Sequence, residues 1–223
     1  MGSASLSRTP QRKPIRLTQT TLAQGAVRLA EADPVLRKIH RKFGPPPLLR
    51  RPATYATFVH IILEQQVSVE SAKATFDRVV GRCHNGVSPR AVRDLGDRGL
   101  RDLGFSRQKA RYTLALADAC LAGDFDVDAL ARLDDETVRS HIVAQLGLGN
   151  WSADVFLMMA LQRPDILPLG DLALVKGIQE IDQTQYESSQ QIAERAESWR
   201  PLRSIATRMV WQWYVHQRGR DIF

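Results

Sequence analysis

Apolar residues recur at three- and four-residue spacing from Thr18 to near the C-terminus, and no stretch shows a convincing period-two alternation. Leu22, Val27, Leu29 and Ala30 mark a first amphipathic helix that ends at Asp33-Pro34. A proline there suits the first turn of a second helix, Val35 to Phe43, which Gly44-Pro-Pro-Pro47 stops. Phe58, Ile61, Ile62 and Gln65 share one helical face, and Val69, Ala72, Phe76 and Val80 extend the same spacing. Ser68 is a suitable N-cap with Glu70 in the first turn, so this stretch is read as two helices meeting at Gln66-Val67. Further helices are predicted at 89–97, 107–121 (cap Ser106), 126–132, 135–145 (cap Asp134), 150–162, 172–181, 188–197 and 202–217. The fold class is therefore all-α. Residues 1–16 are polar and basic, and their composition predicts an unstructured arm.

One stretch carries chemistry. Val143-Ala-Gln-Leu-Gly-Leu-Gly-Asn-Trp-Ser-Ala-Asp154 reads as a helix ending at Gly147, a turn through Leu148 and a new helix starting just after Gly149. Backbone N–H groups at a helix start lack intrahelical acceptors and attract phosphate oxygens. Val143, Leu146, Ala153 and Phe156 hold the two helices across the turn, while the glycines are expected to supply positive φ and room for a nucleic-acid backbone. After an apolar helix follows Pro168-Leu-Gly-Asp171. Aspartate is a preferred N-cap, and a carboxylate fixed at a helix start is also oriented and open on one side to an electron-poor centre. Asp154 is a second acid, expected at the surface.

Charge sharpens the choice of partner. The 223 residues carry a formal charge of +7, which favours a polyanion, because each phosphate neutralised by Lys or Arg releases counterions. The 43% hydrophobic and 25% charged composition is that of an ordinary globular chain. Cys83 and Cys120 sit in no pairing or metal motif, and His60, His84 and His141 show no ligand spacing. No apolar run approaches the ~18 residues of a membrane span and no signal-peptide core is present, so a cytoplasmic, nucleoid-associated protein is expected.

The hairpin Leu146-Gly-Leu-Gly-Asn-Trp-Ser-Ala153, the acid of Pro168-Leu-Gly-Asp171, the helix Ile62-Leu-Glu-Gln-Gln-Val-Ser68, and Trp199-Arg-Pro-Leu-Arg-Ser-Ile-Ala206 with Trp211 resemble together, and in order, the helix-hairpin-helix (HhH-GPD) DNA glycosylase superfamily. The likeness runs from about residue 20 to 217 and is greatest to the alkylation-repair branch, the AlkA-like 3-methyladenine DNA glycosylase II enzymes. It implies two helical domains with a DNA-binding cleft between them: 55–163, six helices ending in the hairpin, and 17–54 plus 164–223, carrying the acid. It also implies a bent duplex with the damaged nucleotide rotated into the cleft.

Carried over by position, Asp171 corresponds to the family's catalytic aspartate. Trp151 stands where bifunctional members have a lysine nucleophile, and an indole forms no Schiff base, so a monofunctional enzyme without lyase activity is implied. Trp211 matches a pocket aromatic, Trp151 shares that wall, and Val155 replaces an aromatic of the AlkA pocket, implying a roomier site. Stacking a cationic alkylated base on indole adds a cation–π term of ~0.5–2 kcal/mol. Gln65 and Gln66 sit where the family places the residue that fills the gap left by the everted base; Gln66, on the flank of the apolar face, is the choice. Leu146, Gly147, Leu148, Gly149 and Ser152 fall at the DNA-backbone contact, where some members hold a bridging monovalent cation. No other cofactor is expected, and the partner is duplex DNA containing alkylated bases, bound by a monomer. Trp199 and Trp213 are assigned to core packing. Two other readings stay open: a glycosylase for oxidised or mismatched bases, and a non-catalytic lesion- or structure-specific DNA-binding protein in which Asp171 only caps a helix.

Overall fold

The computed structural model describes residues 15–220, so the expected basic arm lies almost wholly outside the described residues. Among them there are helices and no strands. Helix α1, Gln19–Ala32, starts from a capping box between Thr18 and Thr21. Asp33 then turns the chain and caps α2, Pro34–Phe43, accepting from the backbone N–H of Val35 and Leu36.

Residues 44–54 cross the molecule without regular structure to α3, Tyr55–Glu64, which is buried on nearly every side and forms the axis of a first core. Around it pack α4, Val69–Arg82; α5, Pro89–Asp102, kinked at Gly96; α6, Arg107–Ala122; α7, Asp135–Val143; and α8, Asn150–Met159. The chain then crosses back. Helices α9, Leu172–Asp182, α10, Ser189–Arg195, and α11, Arg203–His216, close a second core on α1 and α2. The half-buried Trp211 packs against both cores.

Several sequence expectations need correction. Spacing alone puts Val69 and Val80 on the face running on from α3, yet they are 44% and 48% exposed; α4 buries Ala72, Thr75 and Val79 instead. The non-helical break at Gln65–Ser68 rotates the apolar stripe of α4 relative to that of α3, and Phe76 is left half-buried, stacked on His60. Val27, expected inside, is exposed on α1. The helix expected at 126–132 is a short 3-10 turn, Ala129–Arg132, headed by Asp126, and 188–197 divides into α10 and a 3-10 turn, Ala196–Trp199.

The two cores are joined by charge as well as by apolar contact. Arg208 of α11 is fully buried and donates to the carbonyls of Met158, Ser204 and Leu48 at 2.7, 2.9 and 3.1 Å. Its charge meets carbonyl oxygens, one of them at the C-terminal end of α8, where the helix dipole is negative, and no carboxylate among the described residues bonds to it. Burial lowers its pKa to about 10, which leaves it charged at neutral pH. In the second core, Arg195 bonds Asp33 and Asp182 and lies over the Trp199 ring, whose indole N–H also donates to Asp33.

Truncating Arg208 strands several buried acceptors, each costing about 1–3 kcal/mol. Arg208→Ala is expected to lose about 3–5 kcal/mol in a urea unfolding titration; a loss under about 1 kcal/mol would show that the carbonyls are satisfied without it.

Candidate active site

The turn between α7 and α8 is built around one glycine. Gly147 has φ +82°, and a Cβ there would run into the Tyr112 ring of α6, so conformation and space both demand glycine. Leu148 follows as the plug, 4% exposed in the first core, its N–H on the Gln145 carbonyl at 3.1 Å. Gly149 differs from expectation: its φ of −114° is open to any residue, and a Cβ would meet nothing within 4 Å. It leaves an open approach to α8. No side chain caps that helix, whose first backbone bond is Ala153 N–H to Gly149 at 3.0 Å, so the N–H groups of Asn150, Trp151 and Ser152 point ahead of the ladder. Leu146 stands half-exposed at the rim.

Asp171 lies between the two cores, half-buried, at the start of α9. Its Oδ1 accepts from the Leu174 backbone N–H at 2.8 Å and from the Trp211 indole N–H at 3.0 Å; its Oδ2 accepts from the Trp151 indole N–H at 3.2 Å. Trp151 comes from the hairpin and Trp211 from α11, so three elements converge on one carboxylate. Gly170 makes the approach of Trp151 close, since a Cβ there would stand 3.2 Å from that of Trp151. A carboxylate has about four acceptor directions. Three are filled, and the remaining one is on Oδ2.

The end of α3 faces the same hairpin. Gln65 is half-buried and its amide donates to the Gly147 carbonyl at 2.8 Å and to the Ser152 hydroxyl at 3.3 Å. Gln66 is exposed with φ +58° and projects from the turn before α4. Lys109 donates to the Leu63 carbonyl at 2.7 Å and so caps the C-terminal end of α3.

The family described as HhH-GPD superfamily base excision DNA repair protein matches residues 59–201, which include the hairpin and Asp171. The chain belongs to this family. DNA-3-methyladenine glycosylase 1 of Schizosaccharomyces pombe is 23% identical over 200 residues, spanning 86% of this chain and 88% of that one. DNA-3-methyladenine glycosylase of Bacillus subtilis is 24% identical over 196 residues, 82% of this chain and 65% of its own length. The chain thus spans just under two thirds of that Bacillus relative. Among solved structures, the S. pombe 3-methyladenine DNA glycosylase Mag1 in complex with abasic DNA aligns with a TM-score of 0.76 at 22% identity, covering 85% of this chain and 95% of that one.

Within this HhH-GPD chain some side chains fall outside the open surface. Val155, expected at the pocket, is one turn beyond Trp151 but buried in the first core. Asp154, expected at the surface, is 6% exposed and paired with Arg139 of α7, whose own helix places it there. Burial pushes the Asp154 carboxyl up to about 6, against the pull of Arg139. Trp199 is fully buried, and Trp213 is half-buried against the second core. The pairing of Asp171 with two indoles had no local signal, because its partners lie twenty residues before it and forty after it.

Gly147→Ala is expected to cost about 2 kcal/mol or more, since it adds positive-φ strain to a clash with the Tyr112 ring, whereas Gly149→Ala should melt within about a degree of wild type. Equal melting temperatures for the two variants would contradict this. A second expectation concerns pH. Because the folded Asp154 carboxyl stays protonated above its unfolded value, its contribution to stability is full below about pH 4 and is lost as pH rises through 6. The stability of wild type relative to Asp154→Asn should therefore fall between pH 4 and 6 in urea titrations; a difference that rises there would refute the assignment.

Proposed function

We propose that this protein is a monofunctional DNA glycosylase that releases N-alkylated bases, of the 3-methyladenine kind, from duplex DNA as a monomer in base excision repair. The observation that carries the reading is the single open acceptor direction on Asp171, flanked by two indoles and lying beside an uncapped helix start.

The chemistry follows from that arrangement. The free N–H groups at the start of α8 take a phosphate oxygen, which seats the strand against the hairpin. Gln66 enters the duplex where the damaged nucleotide leaves it, and the everted base stacks on the faces of Trp151 and Trp211, whose edges are held by Asp171. An N-alkylated purine is cationic; stacking on indole favours it by ~0.5–2 kcal/mol over a neutral base, and it is already a good leaving group. The N-glycosidic electron pair departs with the base, and positive charge develops on the sugar. Oδ2 of Asp171 faces that charge and accepts a proton from the water that adds to the anomeric carbon. Oδ1, with two donors, holds the geometry. The Trp151 N–H is occupied by Asp171 and an indole offers no amine, so the strand is left intact at an abasic site. The monovalent cation held at the hairpin of some members would draw on backbone carbonyls of this turn. One of these, on Gly147, already accepts from Gln65, and no step above needs the ion.

Asp171→Asn retains a side chain able to cap α9, so the fold should persist while the charge is lost. Single-turnover release of methylated purines is expected to fall by about a hundredfold or more, with the affinity for damaged duplex kept within a few-fold. Borohydride added to the wild-type reaction should trap no protein–DNA adduct. Undiminished release by Asp171→Asn would remove the residue from its role and favour a binding protein in which it only caps a helix; a trapped adduct would restore a lyase step.

A further inference from the structure

The mechanism above uses Gln66 and leaves its neighbour idle, yet the neighbour is the better bonded of the two. Gln65 is the last residue before the chain turns out of α3, and its amide spans to both halves of the hairpin: the carbonyl of Gly147 in the turn and the hydroxyl of Ser152, buried in the first turn of α8. The end of α3 is fixed from two further sides. Lys109 donates to the Leu63 carbonyl, and Arg51 holds Glu64 through paired bonds of 2.6 and 2.8 Å. Gln66 therefore stands on a rigid base with a left-handed backbone, and among the described residues Gln65 is the one side chain that joins that base to the hairpin by hydrogen bonds. Ser152 adjoins Trp151, and Trp151 bonds Asp171.

We infer that Gln65 is a positioning residue that couples entry of Gln66 into the duplex to the seating of the hairpin and of the Asp171 carboxylate, through the path Gln66, Gln65, Gly147 with Ser152, Trp151, Asp171. The inference rests on the glycosylase reading above. Physically, a hairpin moved by a phosphate shifts the Gly147 carbonyl, and the amide bonded to it carries that shift to the turn that bears Gln66. Loss of the amide leaves the fold and the phosphate site standing, while the two movements become independent.

The test uses Gln65→Met, which keeps the length and removes the donor, and Gln65→Glu, which turns the donor into an acceptor facing a carbonyl. In the free full-length protein, hydrogen exchange at the bonded hairpin amides of Leu148 and Ala153 is expected to quicken about tenfold in both variants, as for one lost hydrogen bond, with Gln66→Ala leaving these two amides unchanged. On a methylated duplex with 2-aminopurine beside the lesion, the unstacking phase and the maximal single-turnover rate should each fall about tenfold, while the half-saturating protein concentration stays within twofold. That split separates positioning from plain binding. Wild-type unstacking and release in Gln65→Met would overturn the coupling, as would unchanged exchange at the hairpin or a loss of rate that only follows a lower melting temperature. Should wild type itself release no base from any duplex, the glycosylase reading fails and takes the coupling with it, a result distinct from an active wild type whose variants match it.

Discussion

A carboxylate held by two indole N–H groups and one backbone N–H constrains everything around it. The donors to Asp171 come from the hairpin, from α9 and from α11, so its position is right only when both cores and the crossing between them are in place. Indole is suited to this role because it donates once and accepts nothing, leaving its face free for another ring. The arrangement also ranks the two oxygens: Oδ1 is saturated and Oδ2 retains one lone pair. A group that only capped a helix would need one of these bonds.

That dependence explains where the molecule concentrates buried polar groups. Arg208 anchors α11 to the end of α8, the two helices that bring Trp211 and Trp151 to the site. Arg195 ties α2, α9 and the 3-10 turn at Trp199 into one network, which fixes the helix that Asp171 caps. Neither network touches the site. Both hold the elements whose relative placement sets it, and burial makes their loss costly.

Much of this was legible from residue spacing, and the failures have identifiable causes. Caps and apolar periodicity located most helices, since Ser68, Ser106, Asp134 and Asp171 each cap where a short polar residue precedes an apolar stripe. Spacing failed across the break between α3 and α4, where a non-helical turn resets the rotational phase and leaves Val69 and Val80 outside. It failed at Gly149, because glycine identity does not reveal which of the two turn glycines carries positive φ. Asp154 was misplaced because its partner, Arg139, is set by tertiary packing. The two glutamines show the limit most clearly: one residue apart, they differ in exposure and in bonding, and only the chain path through α3 separates them.

The central claim is geometric, and a crystal structure of the protein on duplex DNA bearing a cationic pyrrolidine in place of the damaged nucleoside tests it most directly. The pyrrolidine nitrogen stands where charge develops on the sugar. The account predicts that nitrogen within ion-pair distance of Asp171 Oδ2, the ring between Trp151 and Trp211, and a phosphate on the N–H groups that open α8. A complex with the pyrrolidine remote from Asp171, or with the strand on another face of the molecule, would contradict it.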